Sequence, residues 1–135
     1  MNIFNDMFLN ENNMMSNNKD MYNPYEAYMK GNLYKNIYKP YKDYVPSKLR
    51  PNNEQAEMLL NINQIGFVNQ DIRLYLDIYP NDRNMIKKYN DNVVLLDRLI
   101  KDYENKYGPL KCDSLSDDNL FSWATMSFPW EEVIK

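Results

Sequence analysis

The sequence predicts an all-α fold: a long antiparallel, coiled-coil-like helical hairpin, preceded by an extended Tyr/Pro-rich arm and followed by an aromatic tail. Two stretches carry apolar residues at alternating spacings of three and four, which is the pattern of a coiled-coil seam on one stripe of a helix. Pro80 cannot continue the first helix, and the short connection around it should fold the two helices back on each other. Gly108 and Pro109 then end the second helix.

The first helix is predicted over residues 53–79, with Asn52 or Asn53 as its N-cap. Its seam consists of Met58, Ile62, Ile65, Asn69, Ile72, Leu76 and Tyr79. Asn69 is the polar member of this seam, and two interpretations of it are open. As a core residue it lowers stability but fixes the register of the helices, whereas at the wet edge of the seam it has no such role.

The second helix is predicted over residues 82–107, with Asn81 or Asp82 as its N-cap and Gly108 as the left-handed residue at its end. Its seam consists of Ile86, Tyr89, Val93, Leu96, Ile100, Tyr103 and Tyr107. Two acid–base pairs lie four residues apart, which supports a helix surface: Asp97 with Lys101, and Asp102 with Lys106.

Both helices also carry apolar residues outside the seam. These are Leu59, Leu60, Phe67, Val68, Leu74 and Tyr75 on the first helix, and Val94, Leu95 and Leu99 on the second. A hairpin of about 55 residues is too small to bury a generous core alone. Some of the cover for this second face can come from the arm and the tail. We expect the rest to come from self-association, as in a four-helix bundle, or from another protein.

The composition speaks against an active site. The 135 residues include no His, so the commonest general base and metal ligand is missing, and the isolated Cys112 has no His to activate it. Three acidic residues, Asp113, Asp117 and Asp118, are expected to form a solvated loop rather than a cation site. The net charge of −3 gives no general bias toward nucleic acid or membrane. We predict no enzyme, no cofactor and no metal.

Residues 1–21 alternate Asn with Met without a sustained period, and they are predicted to be a disordered tail. They lack the basic start and apolar core of a signal peptide, and no apolar run in the chain is long enough to span a bilayer. We therefore expect synthesis in the cytoplasm.

Residues 22–51 form the Tyr/Pro-rich arm, in which repeated prolines exclude one long helix but allow a short one over residues 25–30, before Gly31. Residues 30–50 carry a net charge of +5, which leaves −8 on the rest of the chain. Basic residues interleaved with tyrosines suit single-stranded nucleic acid. We favour the other interpretation, an arm that lays its tyrosines on a protein surface.

Residues 110–135 become aromatic toward their end, with Phe121, Trp123, Phe128 and Trp130. Two interpretations are open: the tail folds back over the open end of the hairpin, or it presents these rings to a partner.

The last 80 residues or so contain an ordered set of short motifs. They are Leu74-Tyr75-Leu76-Asp77, Pro80-x-Asp82, Tyr89-Asn90, Tyr107-Gly108-Pro109-Leu110, Phe121-x-Trp123 and Pro129-Trp130-Glu131. Over roughly residues 55–132 the chain thereby resembles the spore coat protein JB family (CotJB). Three earlier motifs are similar to the companion spore coat protein JA (CotJA): Tyr22-x-Pro24, the run from Glu26 to Tyr34, and Ile37-Tyr38-Lys39-Pro40-Tyr41. This similarity implies a CotJA-like arm fused to a CotJB-like hairpin at residues 52–135.

The resemblance implies a structural role in the endospore coat, with synthesis in the mother cell and a manganese-catalase-like coat protein as partner. Any catalase chemistry would belong to that partner. The candidate partner-binding residues are Tyr34, Tyr38, Tyr41, Tyr44, Phe67, Leu74, Trp123 and Trp130. The alternative is a non-enzymatic helical adaptor or nucleic-acid-binding accessory that uses the basic arm.

Overall fold

The computed structural model describes residues 20–35, 37, 39, 41–116 and 119–127. These residues form four helices: α1 (Pro24–Lys30), α2 (Glu54–Ile78), α3 (Arg83–Tyr107) and α4 (Ser122–Thr125). No β-strand occurs among them; Met21 and Tyr34 form an isolated antiparallel bridge. The prediction of an all-α fold is confirmed for this part of the chain. The chain divides into two units, Met1–Lys48 and Leu49–Lys135. The predicted disordered tail lies almost wholly outside the described residues.

The short helix α1 begins and ends at positions that its sequence specifies. The side chain of Asn23 accepts a hydrogen bond from the backbone N–H of Glu26 at 2.8 Å, and Pro24 occupies the first turn, where a missing N–H costs nothing. Gly31 follows the last residue with φ 73° and ψ 22°, and its N–H donates to the carbonyl of Ala27. This left-handed conformation favours glycine. The short helix expected before Gly31 is therefore present.

The loop that carries α1 is closed at its base by backbone hydrogen bonds. The N–H of Tyr22 donates to the carbonyl of Leu33 at 2.9 Å, and the N–H of Lys35 donates to the carbonyl of Asp20 at 2.8 Å. Leu33 and Ala27 are buried. Residues 20–35 thus form a closed loop with a small apolar centre.

The long helix α2 starts at its cap and stops at a proline. Asn53, rather than Asn52, is the N-cap, and its side chain accepts from the N–H of Ala56 at 2.8 Å. Tyr79 leaves helical geometry with φ −120° and ψ 66°, because Pro80 disfavours the helical conformation of the residue before it. The predicted helix over 53–79 is thus confirmed with bounds one residue shorter at each end.

The helix α3 is capped by Asp82, whose Oδ1 accepts from the backbone N–H groups of Asn84 and Met85 at 3.1 Å each. It ends at Gly108, which has φ 106° and ψ 173°. The predicted left-handed conformation of Gly108 is therefore wrong. Its φ is positive, but its ψ is extended, in a region that is essentially restricted to glycine.

α2 and α3 run antiparallel, as contacts between their far ends show. The Nε2 group of Gln55, at the start of α2, donates to the hydroxyl oxygen of Tyr103 at 2.9 Å. Beside it, the Nζ of Lys106 lies 2.5 Å from a carboxylate oxygen of Glu54. The expected pairing of Lys106 with Asp102 is replaced by this contact between helices, and the contact raises the pKa of Lys106.

The expected surface pair on α3 between Asp97 and Lys101 is present, with Nζ 2.7 Å from Oδ2. A second such pair joins Lys87 to Asp91 at 2.7 Å. Both pairs are solvent-exposed, so each contributes only a few tenths of a kcal/mol to the helix.

The predicted seam is confirmed at Ile65, Asn69 and Ile72 of α2 and at Tyr103 of α3, whereas the rest of the buried face of α3 is rotated away from it. The buried residues are Gln64, Ile65, Val68, Asn69 and Ile72 on α2, and Met85, Leu95 and Tyr103 on α3. The seam assignment is wrong for Tyr79 and Val93, which are 55% and 42% exposed. It is Val68 and Leu95, assigned to the second face, that are buried.

Asn69 is a core residue and not a residue of a wet edge. It is 8% exposed, and its Oδ1 is buried without a hydrogen-bond partner among the described residues. A buried acceptor left in this state lowers the stability of the fold.

No helix in the described part of the chain combines the length and the apolar character needed to cross a membrane.

Candidate interaction surfaces

The corner between α2 and α3 is held by one carboxylate. Oδ1 of Asp82 caps α3, and Oδ2 accepts a hydrogen bond from the Tyr75 hydroxyl at 3.0 Å. The N–H of Met85 and the Tyr75 hydroxyl together lower the pKa of Asp82, and the same hydrogen bond raises the pKa of Tyr75. Tyr79 packs its ring on Tyr75 with centroids 4.9 Å apart. The corner is therefore a locally ordered structure rather than a loose connection.

Lys88 lies close to this corner and is half-buried. Partial burial lowers its pKa, while the charge of Asp82 acts in the opposite direction. Lys88 does not belong to the predicted seam, and the rotation of α3 brings it toward the buried face.

The C-terminal half of α2 presents an exposed apolar surface. Leu74 and Ile78, four residues apart on one face, are 53% and 72% exposed. Two carboxylates, Asp71 and Asp77, lie beside them along the helix. We call these four residues the α2 patch. Phe67 lies on the same stripe one to two turns earlier and is half-buried.

Two of the tyrosines predicted to bind a partner lie together in an exposed turn. The N–H of Tyr44 donates to the carbonyl of Tyr41 at 3.1 Å, and Asp43 between them has φ 63°. An Asp side chain tolerates this left-handed conformation better than most residues do. Tyr41 and Tyr44 are 79% and 57% exposed, and Val45 after them is also exposed. We call residues 41–44 the Tyr turn.

The other predicted tyrosines of the arm differ from this pair. Tyr34 is half-buried and takes part in the bridge with Met21. Tyr38 lies outside the described residues. A tyrosine that the sequence did not single out, Tyr22, has the Nζ of Lys30 4.3 Å and that of Lys35 5.5 Å from its ring centroid. These distances are those of cation–π contacts. The spacing of Tyr22, Lys30 and Lys35 in the sequence does not predict such contacts.

The tail is ordered by two side chains that sequence reasoning missed. Oε1 of Glu104 accepts from the N–H of Leu110 at 2.8 Å and from the hydroxyl of Ser114 at 2.5 Å. Farther on, the hydroxyl of Ser116 donates to the carbonyl of Leu120 at 2.6 Å and accepts from the N–H of Ser122 at 2.8 Å. These contacts lead the chain into α4.

Of the two tryptophans predicted to bind a partner, Trp123 lies in α4 and is half-buried. Trp130 lies outside the described residues, and so does Phe128. The Phe121 side chain that precedes α4 is exposed.

The described residues hold no group of three or more Cys, Asp or Glu side chains placed to bind a metal ion. Asp117 and Asp118 of the acidic loop lie outside these residues. Cys112 is exposed and forms no disulfide.

A family model described as CotJB protein matches residues 56–131, which is more than half of the chain. The chain belongs to the CotJB family. Membership suggests a role in the spore coat and a location there. No curated protein and no solved structure matches the chain.

The CotJB match covers nearly all of α2, the whole of α3 and the described tail, so the α2 patch and the Asp82 corner lie within the CotJB region. Of the predicted partner-binding residues, Phe67, Leu74, Trp123 and Trp130 belong to this region. The tyrosines of the arm precede it. The CotJA-like character of the arm therefore stays a prediction.

Proposed function

We propose that this CotJB-family chain is a structural assembly component of the endospore coat. It binds other coat proteins, including a manganese-catalase-like coat protein, and performs no catalysis itself. The observation that supports this proposal is the match of residues 56–131 to the CotJB family. In this proposal the coiled-coil-like hairpin is the body of the molecule, while the CotJA-like arm and the aromatic tail attach it to its neighbours.

The distribution of exposed apolar side chains supports an adhesive role. Leu74 and Ile78 are adjacent on one face of α2, where burial by a partner would remove apolar surface from water. Each fully buried aliphatic side chain contributes about 1.5–3 kcal/mol to such a contact. The adjoining corner, tied by Asp82, holds the end of this helix in place, so little ordering cost is added on binding.

Co-purification tests the proposal. The tagged full chain is co-expressed with the manganese-catalase-like coat protein and recovered by affinity. We expect the two to be recovered together. The double variant Leu74→Ser/Ile78→Ser should recover at most a tenth as much partner.

A matched control removes two exposed apolar residues elsewhere, Val94→Ser and Leu115→Ser, and should retain the partner. Failure of the wild-type chain to retain the catalase-like protein would count against the proposed partner. Retention by both double variants would exclude the α2 patch as its binding surface.

The alternative, an accessory that binds nucleic acid through the arm, predicts a different result. Its binding to a single-stranded oligonucleotide would weaken steeply with salt concentration. We expect no mobility shift at 150 mM salt, about the physiological level. A salt-sensitive shift that Lys39→Gln and Lys42→Gln abolish would favour the alternative.

A further inference from the structure

Two lysines of the closed loop at residues 20–35 share one tyrosine ring. The Nζ of Lys30 lies 4.3 Å from the centroid of the Tyr22 ring, and the Nζ of Lys35 lies 5.5 Å from it. The two ammonium groups are therefore at most about 10 Å apart, because both distances are measured to the same point. The negative face of the ring attracts a cation and offsets part of the repulsion between the two. We call Tyr22, Lys30 and Lys35 the cation cluster.

The backbone of the loop holds the cation cluster in place. Tyr22 and Lys35 lie at the base of the loop, where two backbone hydrogen bonds close it. Lys30 is the last residue of α1, and Gly31 fixes the end of that helix. A partner thus meets cations that are already positioned, so little ordering cost is added on binding.

Neither lysine of the cluster is neutralised within the described part of the chain. Lys30 follows Glu26 by four residues, which is a spacing that favours an ion pair on a helix, yet no ion pair joins them. Lys35 makes no ion pair with a described residue either. Asp20 and Glu26 make the loop neutral in total, so its recognition of a partner depends on direct contact rather than on long-range attraction.

We infer that the cation cluster binds two carboxylates that lie one turn apart on a helix of another coat protein. Side chains three or four residues apart on a helix have Cβ atoms about 5–6 Å apart, which is within the reach of the two lysines. Each ammonium group then donates a charge-assisted hydrogen bond to one carboxylate. This inference gives the arm a partner of defined chemistry, and it rests on the adhesive role assigned to the arm in the proposed function.

The described helices of this chain do not supply such a pair of carboxylates. Among the acidic residues of the four helices, only Glu54 and Glu57 are three or four positions apart. The carboxylate of Glu54 is already paired with the Nζ of Lys106. A second copy of the chain carries the same helices and lacks the pair for the same reason. The acceptor is therefore a different protein.

The cluster also differs from a site for single-stranded nucleic acid. Proteins that bind single strands stack the bases on open aromatic faces. The Tyr22 side chain is half-buried, and the Nζ of Lys30 lies over its ring. A carboxylate needs only the ammonium groups, whereas a base needs the face of the ring. The geometry therefore favours an acidic protein surface.

Binding of a helical peptide to the full-length chain tests the inference. The probe is a fluorescently labelled, alanine-based helical peptide with two Glu residues four positions apart, and its counterpart has Gln at both positions. Fluorescence anisotropy measures the Kd of each peptide. We expect the Glu peptide to bind at least about ten-fold more tightly, because Gln lacks the charge that strengthens the hydrogen bonds.

Variants of the chain locate the contact. Lys30→Gln/Lys35→Gln should weaken binding of the Glu peptide about ten-fold. Lys42→Gln/Lys48→Gln removes the same charge from two exposed lysines outside the cluster and should change the Kd less than about two-fold. Tyr22→Phe keeps the ring and should bind as the wild type does, whereas Tyr22→Leu should weaken binding. The lysine variants leave the ring in place, so they test the cluster even where Tyr22→Leu disturbs the loop.

Equal binding of the two peptides, or equal weakening by the two lysine double variants, would overturn the inference. Displacement of the Glu peptide by an equimolar single-stranded oligonucleotide would overturn it as well, since the cluster would then bind nucleic acid. The proposed function is distinguished by its own test. Retention of the catalase-like protein by a chain that does not bind the Glu peptide leaves the coat role standing and removes the cluster as a contact. Binding of the Glu peptide without such retention supports the cluster and removes the proposed partner.

Discussion

The hydroxyl of Tyr75 donates to Oδ2 of Asp82 at 3.0 Å, which ties the last turn of α2 to the residue that caps α3. The other carboxylate oxygen accepts two backbone N–H groups of the first turn of α3. Asp82 thus stabilises the start of α3 and joins it to the last turn of α2.

Replacing this cap should cost more than removing the tyrosine hydroxyl. Asp82→Ala loses all three hydrogen bonds and should lower Tm by roughly 5 °C, whereas Tyr75→Phe loses one and should cause a smaller shift. Thermal denaturation followed by circular dichroism measures both. Asp91→Ala, which removes only an exposed ion pair, serves as the control. A larger effect of Tyr75→Phe than of Asp82→Ala would show that the ring contact, not the cap, organises the corner.

The same cap predicts a dependence on acid. Folding lowers the pKa of Asp82 below its ordinary 3.8, so its contribution is fully present above the unfolded value and is lost as the pH falls through the folded one. The difference in Tm between wild type and Asp82→Asn should be constant from about pH 7 to about pH 5 and should shrink below about pH 4. A difference that grows on acidification would contradict this assignment.

The unpartnered oxygen of Asn69 predicts a stabilising substitution. Asn69→Leu replaces a buried acceptor by an apolar group of similar size and should raise the free energy of unfolding by about 1–3 kcal/mol. Urea denaturation measures the change. Asn63→Leu, at an exposed position of the same helix, should change it by less than about 0.5 kcal/mol. Destabilisation by Asn69→Leu would mean that its amide nitrogen makes an essential contact.

Leu95 and Val93 distinguish the observed core from the seam expected on periodicity. Leu95→Ala should cost about 2–5 kcal/mol because the side chain is buried. Val93→Ala should cost less than about 1 kcal/mol, since Val93 is 42% exposed. The order of the two denaturation midpoints decides between the two assignments.

Two glycines should respond in opposite directions to alanine. At Gly108 a Cβ meets no atom within 4 Å, but the positive φ strains any other residue, so Gly108→Ala should cost about 1–3 kcal/mol. At Gly66, inside α2 and equally open, alanine should stabilise by about 0.5–1 kcal/mol. Chemical denaturation measures the change in the free energy of unfolding for each variant. A stabilising effect of both substitutions would indicate that the backbone at position 108 relaxes out of its positive φ.

The helices were predictable almost to the residue because their ends depend on local chemistry. Asn53 and Asp82 cap α2 and α3 through backbone groups two or three positions away, and Pro80 and Gly108 act on their immediate neighbours. Such contacts join residues that are close together in the sequence, so a short stretch of it is enough to predict them.

The rotation of α3 was not predictable, because its apolar residues occupy more than one stripe of the helix. Val93 and Leu95 each fit a spacing of three and four with other apolar residues, and the contacts with α2 determine which stripe is buried. The pairing of Lys106 with Glu54 and the attachment of the tail to Glu104 likewise join residues whose proximity arises only after folding.

The closed loop of residues 20–35 gives this chain a reserve of length. Its ends are held together by two backbone hydrogen bonds, which form the bridge between Met21 and Tyr34. A force that pulls the ends apart loads these bonds one after another, as in peeling, and such a junction opens under less force than one loaded in parallel. Once open, the 16 residues extend to on the order of 50 Å.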